Sequence, residues 1–221
     1  MEPVVNNENL NPIVRAFSEG GTVMYVILVI AVLTVVLVVE RFMTLRALRV
    51  DKKDFSDQVF RMIIGGDLRQ AISFCDAKPT PLGNTMKAGL VQAMNKRPDE
   101  EIQVAMDASV LRETPRLEGM TSFLAVFGNI AVLAGLLGTI FGMIGSFRAV
   151  SKADPATKAQ LLSEGISHAL NCTGFGLMVA ITAIVFYGLF QHMIQKSENE
   201  MIESSMSLMN LIAANRDKMK D

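Results

Sequence analysis

The sequence predicts an all-α membrane protein with three transmembrane helices and long helical extensions outside them. The chain of 221 residues is 50% hydrophobic with a mean hydropathy of +0.34, which is high for a soluble domain. It contains three uncharged apolar stretches, each long enough to cross a bilayer. Between and after these stretches, apolar residues recur at helical spacing, with no strand-like alternation and no internal repeat.

The predicted transmembrane helices cover residues 22–41, 122–147 and 167–190. No charged residue occurs between Glu118 and Arg148, so the second span is uninterrupted. We interpret the first span as an uncleaved anchor. A signal peptide would have a basic segment before its apolar run and a small-residue cleavage site after it, and neither is present.

Basic residues are distributed asymmetrically around the first span, and this predicts the orientation. Five of them follow the span within residues 41–53, whereas Arg15 alone precedes it. The N-terminus is therefore expected outside and the C-terminus inside the cell. The predicted remaining segments are a periplasmic N-terminal segment 1–21, a cytoplasmic helical region 42–121, a periplasmic loop 148–166 and a cytoplasmic C-terminal helix 191–221.

The region between the first two spans is predicted to contain several amphipathic helices. Two glycines before Asp67 interrupt the first helical pattern, and Asp67 is a suitable N-cap for the next helix. Pro79 and Pro81 mark a second break, and another helix is expected to start near Asp99 and to be kinked at Pro115. The apolar faces fit either packing between helices or docking of another protein.

The second and third spans each contain a threonine among small residues, Thr139 and Thr173. Residues three and four apart share a helix face, so the small residues form stripes. Two interpretations remain open at this point: ordinary helix contacts with hydroxyls bonded to their own backbone, or helices packed around a narrow polar path. The stripe residues are Gly135, Gly138, Gly142 and Ser146 in the second span, and Gly176 and Ala180 in the third.

Apart from Glu40 and Arg41 at the cytoplasmic end of the first, the spans contain no Asp, Glu, Lys or Arg, and this constrains any ion-conducting role. Carboxylates are the usual proton carriers inside membranes. If this chain moves protons, a partner must supply the carboxylate, and the hydroxyls of Thr139 and Thr173 would hydrogen-bond to it and to its waters.

Several other classes of function are not supported. The net charge is −1, and the two cysteines lie far apart without metal-ligand spacing, so we predict no nucleic-acid binding, metal or cofactor. Ser167 and His168 faintly suggest a serine hydrolase. However, adjacent helical residues point to different sides, and His192 is roughly 36 Å further along the helix. We therefore expect no enzymatic activity.

Two runs of residues carry a resemblance to the MotA/TolQ/ExbB proton-channel family, with its ExbB/TolQ branch nearest. Residues 135–147, GLLGTIFGMIGSF, are similar to the family signature G-L-L-G-T-V-x-G-I-x-x-S-F. Residues 165–177, GISHALNCTGFGL, resemble its G-I-x-x-A-L-x-x-T-x-x-G-L run. The pair Glu40-Arg41 also matches, and the resemblance covers essentially the whole chain.

The resemblance implies a homopentamer around a lumen that holds an ExbD/TolR-like partner with a single transmembrane span. An aspartate of that partner would carry the proton, with Thr139 and Thr173 facing it. The chain would then be the stator subunit of a motor in the bacterial inner membrane, driven by the proton-motive force. It would act on outer-membrane transport, envelope maintenance or gliding through a TonB/TolA-like or other envelope-spanning effector. The alternative is a structural membrane scaffold that conducts nothing.

Three positions depart from the family pattern. Many relatives have proline where Val132 and Thr182 stand, and glutamate where His168 stands. His168 is interpreted either as lineage variation or as a pH-sensitive group at the outer mouth, since histidine titrates near neutrality. The branch, the ion and the partner remain undetermined by the sequence.

Overall fold

The computed structural model describes residues 21–48 and 51–215, and its regular elements are all helices over those ranges. The all-α prediction is thereby confirmed. Residues 1–20, 49–50 and 216–221 lie outside the described part, and with them most of the predicted periplasmic N-terminal segment and the end of the predicted C-terminal helix. The helices are α1 Gly21–Leu48, α2 Lys52–Ile64, α3 Leu68–Ala77, α4 Pro81–Met94, α5 Asp99–Glu118, α6 Thr121–Lys152 and α7 Lys158–Asn215.

Three helical runs in the described residues are long and apolar enough to cross a membrane. They are α1, α6 and α7, and each contains one of the predicted spans. The described residues divide into two units. The span unit comprises 21–40 and 120–188, and the extension unit comprises 41–119 and 189–215.

The span unit brings α1, α6 and α7 together around small side chains. Ile30, Ala131 and Ala180, one from each helix, form a buried cluster. Thr34 is buried as well and donates a hydrogen bond to the carbonyl oxygen of Ile30 at 2.8 Å, which satisfies its hydroxyl within α1. Most large apolar side chains of the three helices point away from this cluster and remain exposed in the single chain.

Local signals define the first helices of the extension unit. Asp51 caps α2 by accepting from the backbone N–H of Lys53 at 3.0 Å. Asp67 caps α3 by accepting from the N–H of Gln70 at 3.0 Å, as the sequence predicts. Thr80 caps α4, with Pro81 at its first helical position, where the missing N–H has no cost.

The core of the extension unit lies where α4 and α5 pack against the end of α7. Gly89 of α4 is the closest point, because a Cβ atom there would lie 2.6 Å from the sulfur of Met106. The same Cβ would lie 3.5 Å from Leu208 of α7. Further along, the hydroxyl of Thr85 lies 3.5 Å from the sulfur of Met201. These contacts bury the apolar faces that the helical spacing indicates.

The helix break before α6 occurs at Gly119, whereas the sequence predicts a helix kink at Pro115. Pro115 lies inside α5, and the helix continues to Glu118. Gly119 has φ 44° and ψ −125°, a conformation that side chains with a Cβ avoid. The guanidinium group of Arg41 occupies the space where a Cβ of residue 119 would lie.

The predicted periplasmic loop 148–166 is largely helical. α6 continues to Lys152 and α7 begins at Lys158, so residues 153–157 are the connection. α7 begins ahead of the predicted span because its first residues, KAQLLSE, include several strong helix formers.

Candidate functional site

Glycines bring the backbones of α6 and α7 into direct contact. A Cβ atom at Gly135 would lie 3.1 Å from both the carbonyl oxygen of Cys172 and the Cα of Thr173. A Cβ at Gly176 would lie 2.5 Å from the carbonyl oxygen of Ala131. Larger residues would therefore separate the two helices, which is the usual reason for small residues at membrane helix contacts.

The remaining stripe residues extend the same contact in both directions. Gly138 faces Cys172, and a Cβ there would lie 2.6 Å from the Cβ of that cysteine. A Cβ at Gly142 would lie 3.0 Å from the Cβ of Ala169. Ala180 belongs to the buried cluster of the span unit. All of these contacts lie within one chain, and their relation to a lumen stays a prediction.

Thr173 donates a hydrogen bond across the helix contact. Its Oγ1 lies 3.1 Å from the carbonyl oxygen of Gly135 on α6, and the residue is partly buried. Thr139 instead donates to the carbonyl oxygen of Leu136 on its own helix at 2.6 Å. The helical N–H of residue 139 is directed at the same Gly135 carbonyl. Thr173 is therefore bonded to the helical turn that carries Thr139.

The two threonines thus differ in what their hydroxyls do. The hydroxyl of Thr139 donates to the backbone of its own helix, whereas the hydroxyl of Thr173 forms a hydrogen bond between two helices. A hydroxyl retains acceptor lone pairs after it donates, so both can still accept a hydrogen bond from a protonated group or from water. The structure brings both predicted pathway residues to one part of the α6–α7 contact.

The departures from the family pattern lie at other places on these helices. Thr182 is exposed and donates to the carbonyl oxygen of Met178 at 2.9 Å. Val132 is 37% exposed. His168 is partly buried, one residue before Ala169, which meets Gly142. None of these three residues contributes to the α6–α7 contact at Gly135.

The pattern of small residues predicts Ser146 in this contact but does not single out two further members, Gly165 and Cys172. Ser146 donates to the carbonyl oxygen of Gly142 at 2.8 Å, and its side chain fills the space that a Cβ of Gly165 would need. Cys172 fills the corresponding space at Gly138. Gly165 begins the 165–177 run that resembles the family, so the sequence marks this glycine. Only the packing of α6 on α7 shows that Ser146 faces it.

The α6–α7 contact has no carboxylate within its apolar stretches. Residues 120–147 and 169–188 contain no Asp, Glu, Lys or Arg. Throughout the described ranges, no three His, Cys, Asp or Glu side chains form a group that could hold a metal ion. The chemistry of this contact is therefore that of two hydroxyl groups and backbone carbonyls in an apolar surrounding.

The sequence comparison identifies the family. Residues 77–203, more than half of the chain, match the MotA/TolQ/ExbB proton channel family. The chain belongs to this family. The match includes both threonines and all of the glycines that hold α6 against α7. Membership confirms the ExbB/TolQ-like resemblance and supports a proton-channel, stator-type role in a membrane, which is not an enzymatic one.

Individual relatives agree with this assignment. The chain is 31% identical to the Tol-Pal system protein TolQ of Pseudomonas aeruginosa over 156 residues, covering 65% of this chain and 67% of TolQ. It is 28% identical to the biopolymer transport protein ExbB of Pseudomonas putida over 53% of this chain, but only 36% of that protein. The Salmonella typhimurium ExbB is 36% identical over 33% of this chain and 29% of its own length.

Proposed function

We propose that this chain is the channel-forming subunit of a stator that couples ion flow across the inner membrane to motion of a single-span partner. The observation that carries the proposal is the hydrogen bond from Thr173 to the Gly135 carbonyl, on the turn bearing Thr139. Two hydroxyls are thereby held in a charge-free part of the spans. Family membership supports the same role.

The mechanism follows from what the span unit lacks. A proton crossing a membrane needs a titratable carrier or a continuous water chain, and residues 22–39, 120–147 and 169–188 contain no Asp, Glu, Lys, Arg or His. In our proposal an aspartate of an ExbD/TolR-like partner carries the proton. Thr139 and Thr173 accept a hydrogen bond from the protonated carboxyl through their free lone pairs. To donate to the ionised carboxylate, each hydroxyl turns its single proton away from the backbone carbonyl that it bonds in the chain alone, and this lowers the cost of holding the charge between the helices.

The proposal includes an assembly and an orientation. Five copies surround the partner helices, the N-terminus is periplasmic, and the C-terminus is cytoplasmic. Motion of the partner is passed to a TonB/TolA-like or other envelope-spanning effector, and the load is outer-membrane transport, envelope maintenance or gliding. His168 then stands near the outer mouth.

The test is Thr173→Val, which keeps the shape of the side chain and removes its hydroxyl. We expect the complex with the single-span partner to assemble, and we expect proton uptake by proteoliposomes to fall at least about ten-fold. Thr173→Ser restores the hydroxyl and should recover most of the flux. Thr182→Val is the matched control, because Thr182 bonds to its own helix outside this contact.

Two outcomes would contradict the proposal. If Thr173→Val and Thr182→Val conduct equally well, the hydroxyl at 173 serves helix packing, and the pathway assignment is wrong. If the wild-type complex assembles with its partner but conducts no ions, the alternative of a structural scaffold takes its place.

A further inference from the structure

The extension unit contains a cavity of about 870 Å³ where the last turns of α1 meet α2 and α7. This volume lies within the range of protein cavities that bind small ligands. A smaller cavity of about 190 Å³ adjoins it and shares Met193, Lys196 and Glu200. The larger cavity is lined by Phe42, Arg46, Asp51, Lys52, Lys53, Met193, Lys196 and Glu200.

Positive charge dominates this cavity. Lys52 is paired with Glu203, which neutralises it. Within the described part of the chain, Arg46, Lys53 and Lys196 form no ion pair. These three cations outnumber the two carboxylates of the lining, Asp51 and Glu200. The lining therefore has a net positive charge, which an anionic ligand would balance.

The lining combines this charge with apolar side chains, and its residues follow the apolar stretches closely in sequence. Phe42 is 49% exposed, and the neighbouring Met43 is 65% exposed, so both present apolar surface beside the charged residues. In sequence, Arg46 follows the apolar stretch of α1 by about two helical turns. Lys196 follows the apolar stretch of α7 by a similar distance. Basic cavities between helices at a membrane boundary are suited to phospholipid headgroups.

We propose that this cavity binds the phosphate diester of an anionic membrane phospholipid with a hydroxylated headgroup. Arg46, Lys53 and Lys196 contact the phosphate oxygens, and Arg46 offers the planar fork that suits them. Glu200 accepts a hydrogen bond from the headgroup hydroxyl. Phe42 and Met193 contact the beginning of the acyl chains, which a free phosphate ion would leave exposed. This site is separate from the proposed ion pathway and does not depend on it.

Native mass spectrometry of the purified full-length complex, titrated with phosphatidylglycerol or phosphatidylcholine, tests the proposal. We expect the wild type to bind phosphatidylglycerol at least about ten-fold more tightly than phosphatidylcholine. Arg46→Gln/Lys196→Gln should weaken phosphatidylglycerol binding about ten-fold or more. Arg69→Gln/Lys78→Gln removes the same charge elsewhere in the extension unit and should bind like the wild type. Excess inorganic phosphate should not displace the lipid.

Three results would overturn the proposal. The first is equal binding of the two lipids, and the second is an equal effect of the two double variants. The third is displacement of phosphatidylglycerol by inorganic phosphate, which would assign the cavity to a soluble anion. If Arg46→Gln/Lys196→Gln does not assemble, Lys196→Gln replaces it, because Lys196 is exposed and its loss removes no ion pair. Unchanged affinity in Lys196→Gln relative to Lys78→Gln would then reject the site.

Discussion

At the scale of single residues, the absence of a methyl group decides how closely α6 and α7 approach. Gly138 and Gly176 each meet atoms of the facing helix at a distance that a Cβ could not keep, and a Cβ at Gly135 would require a small shift of its neighbours. Gly145 and Gly174 lie on the same helices, yet a Cβ at either would meet nothing within 4 Å. The sequence shows all of these as small residues in a membrane helix and does not distinguish the two groups.

This difference gives a matched pair of substitutions. Gly138→Ala should destabilise the chain by about 1–3 kcal/mol, because its Cβ would overlap Cys172 and force the helices apart. Gly145→Ala should have little effect, since its surroundings in the chain are open. Denaturant titration of the purified protein in detergent measures both. Equal losses would show that the contact at Gly138 does not limit the approach of the helices.

Cys75 is the residue whose chemistry the fold changes most clearly. Burial, and secondarily the negative charge of Asp76, raise the pKa of its thiol from 9.0 to about 12. The folded state therefore holds this proton more tightly than the unfolded state. Its contribution to stability is complete below pH 9 and is lost as the pH rises from about 9 to about 12.

Two measurements check this prediction. In a Cys172→Ala background, maleimide should label Cys75 at pH 8 only as fast as the protein opens, because the folded thiol stays protonated and buried. Between pH 9 and 11, the free energy of unfolding should fall less steeply in Cys75→Ala than in the chain that keeps Cys75. Rapid labelling of the folded protein would contradict the raised pKa.

At the scale of elements, the end of α5 is fixed by a long-range contact. Gly119 adopts a positive φ, and the guanidinium group of Arg41 lies against it. Local propensity predicts the distortion of this helix at Pro115, yet Pro115 lies within the helix. A proline removes one backbone hydrogen bond, whereas a residue with φ 44° and ψ −125° ends the helical path altogether.

Gly119→Ala should therefore cost about 1–3 kcal/mol of stability, since it combines backbone strain with displacement of Arg41. Gly66→Ala is the control for strain alone, because Gly66 has φ 82° and no atom near its missing Cβ. Adding Arg41→Ala to Gly119→Ala should cost less than the sum of the single variants, since the overlap then disappears. Strict additivity would show that Arg41 and Gly119 are not coupled.

At the scale of the whole molecule, much of the exposed surface of the spans is apolar in the single chain. Large apolar side chains of α1, α6 and α7 remain exposed, among them Tyr25 at 63% and Leu133 at 65%. Lipid can cover such a surface, but the glycines Gly145 and Gly174 also leave room for close approach by another helix. An assembly of several chains in the membrane satisfies both features.

Native mass spectrometry of the complex, co-expressed with the adjacent small open reading frame, tests this assembly. We expect a pentamer that holds two copies of a single-span protein with one aspartate in its span. In the proposed mechanism the partner supplies the carboxylate, since residues 22–39, 120–147 and 169–188 contain none. A monomer or dimer without a partner would reject the stator proposal and leave the small-residue stripes as ordinary helix packing.

The sequence by itself determined the helical class, the three spans, the cap at Asp67 and the two threonines in uncharged surroundings. These features depend on local composition and on periodicity, which are readable along the chain. Only the tertiary structure decided that Thr173 bonds to the Gly135 carbonyl, that α5 ends against Arg41, and that cations from three helices line one cavity. These features join residues far apart in sequence, and their positions depend on how whole helices pack.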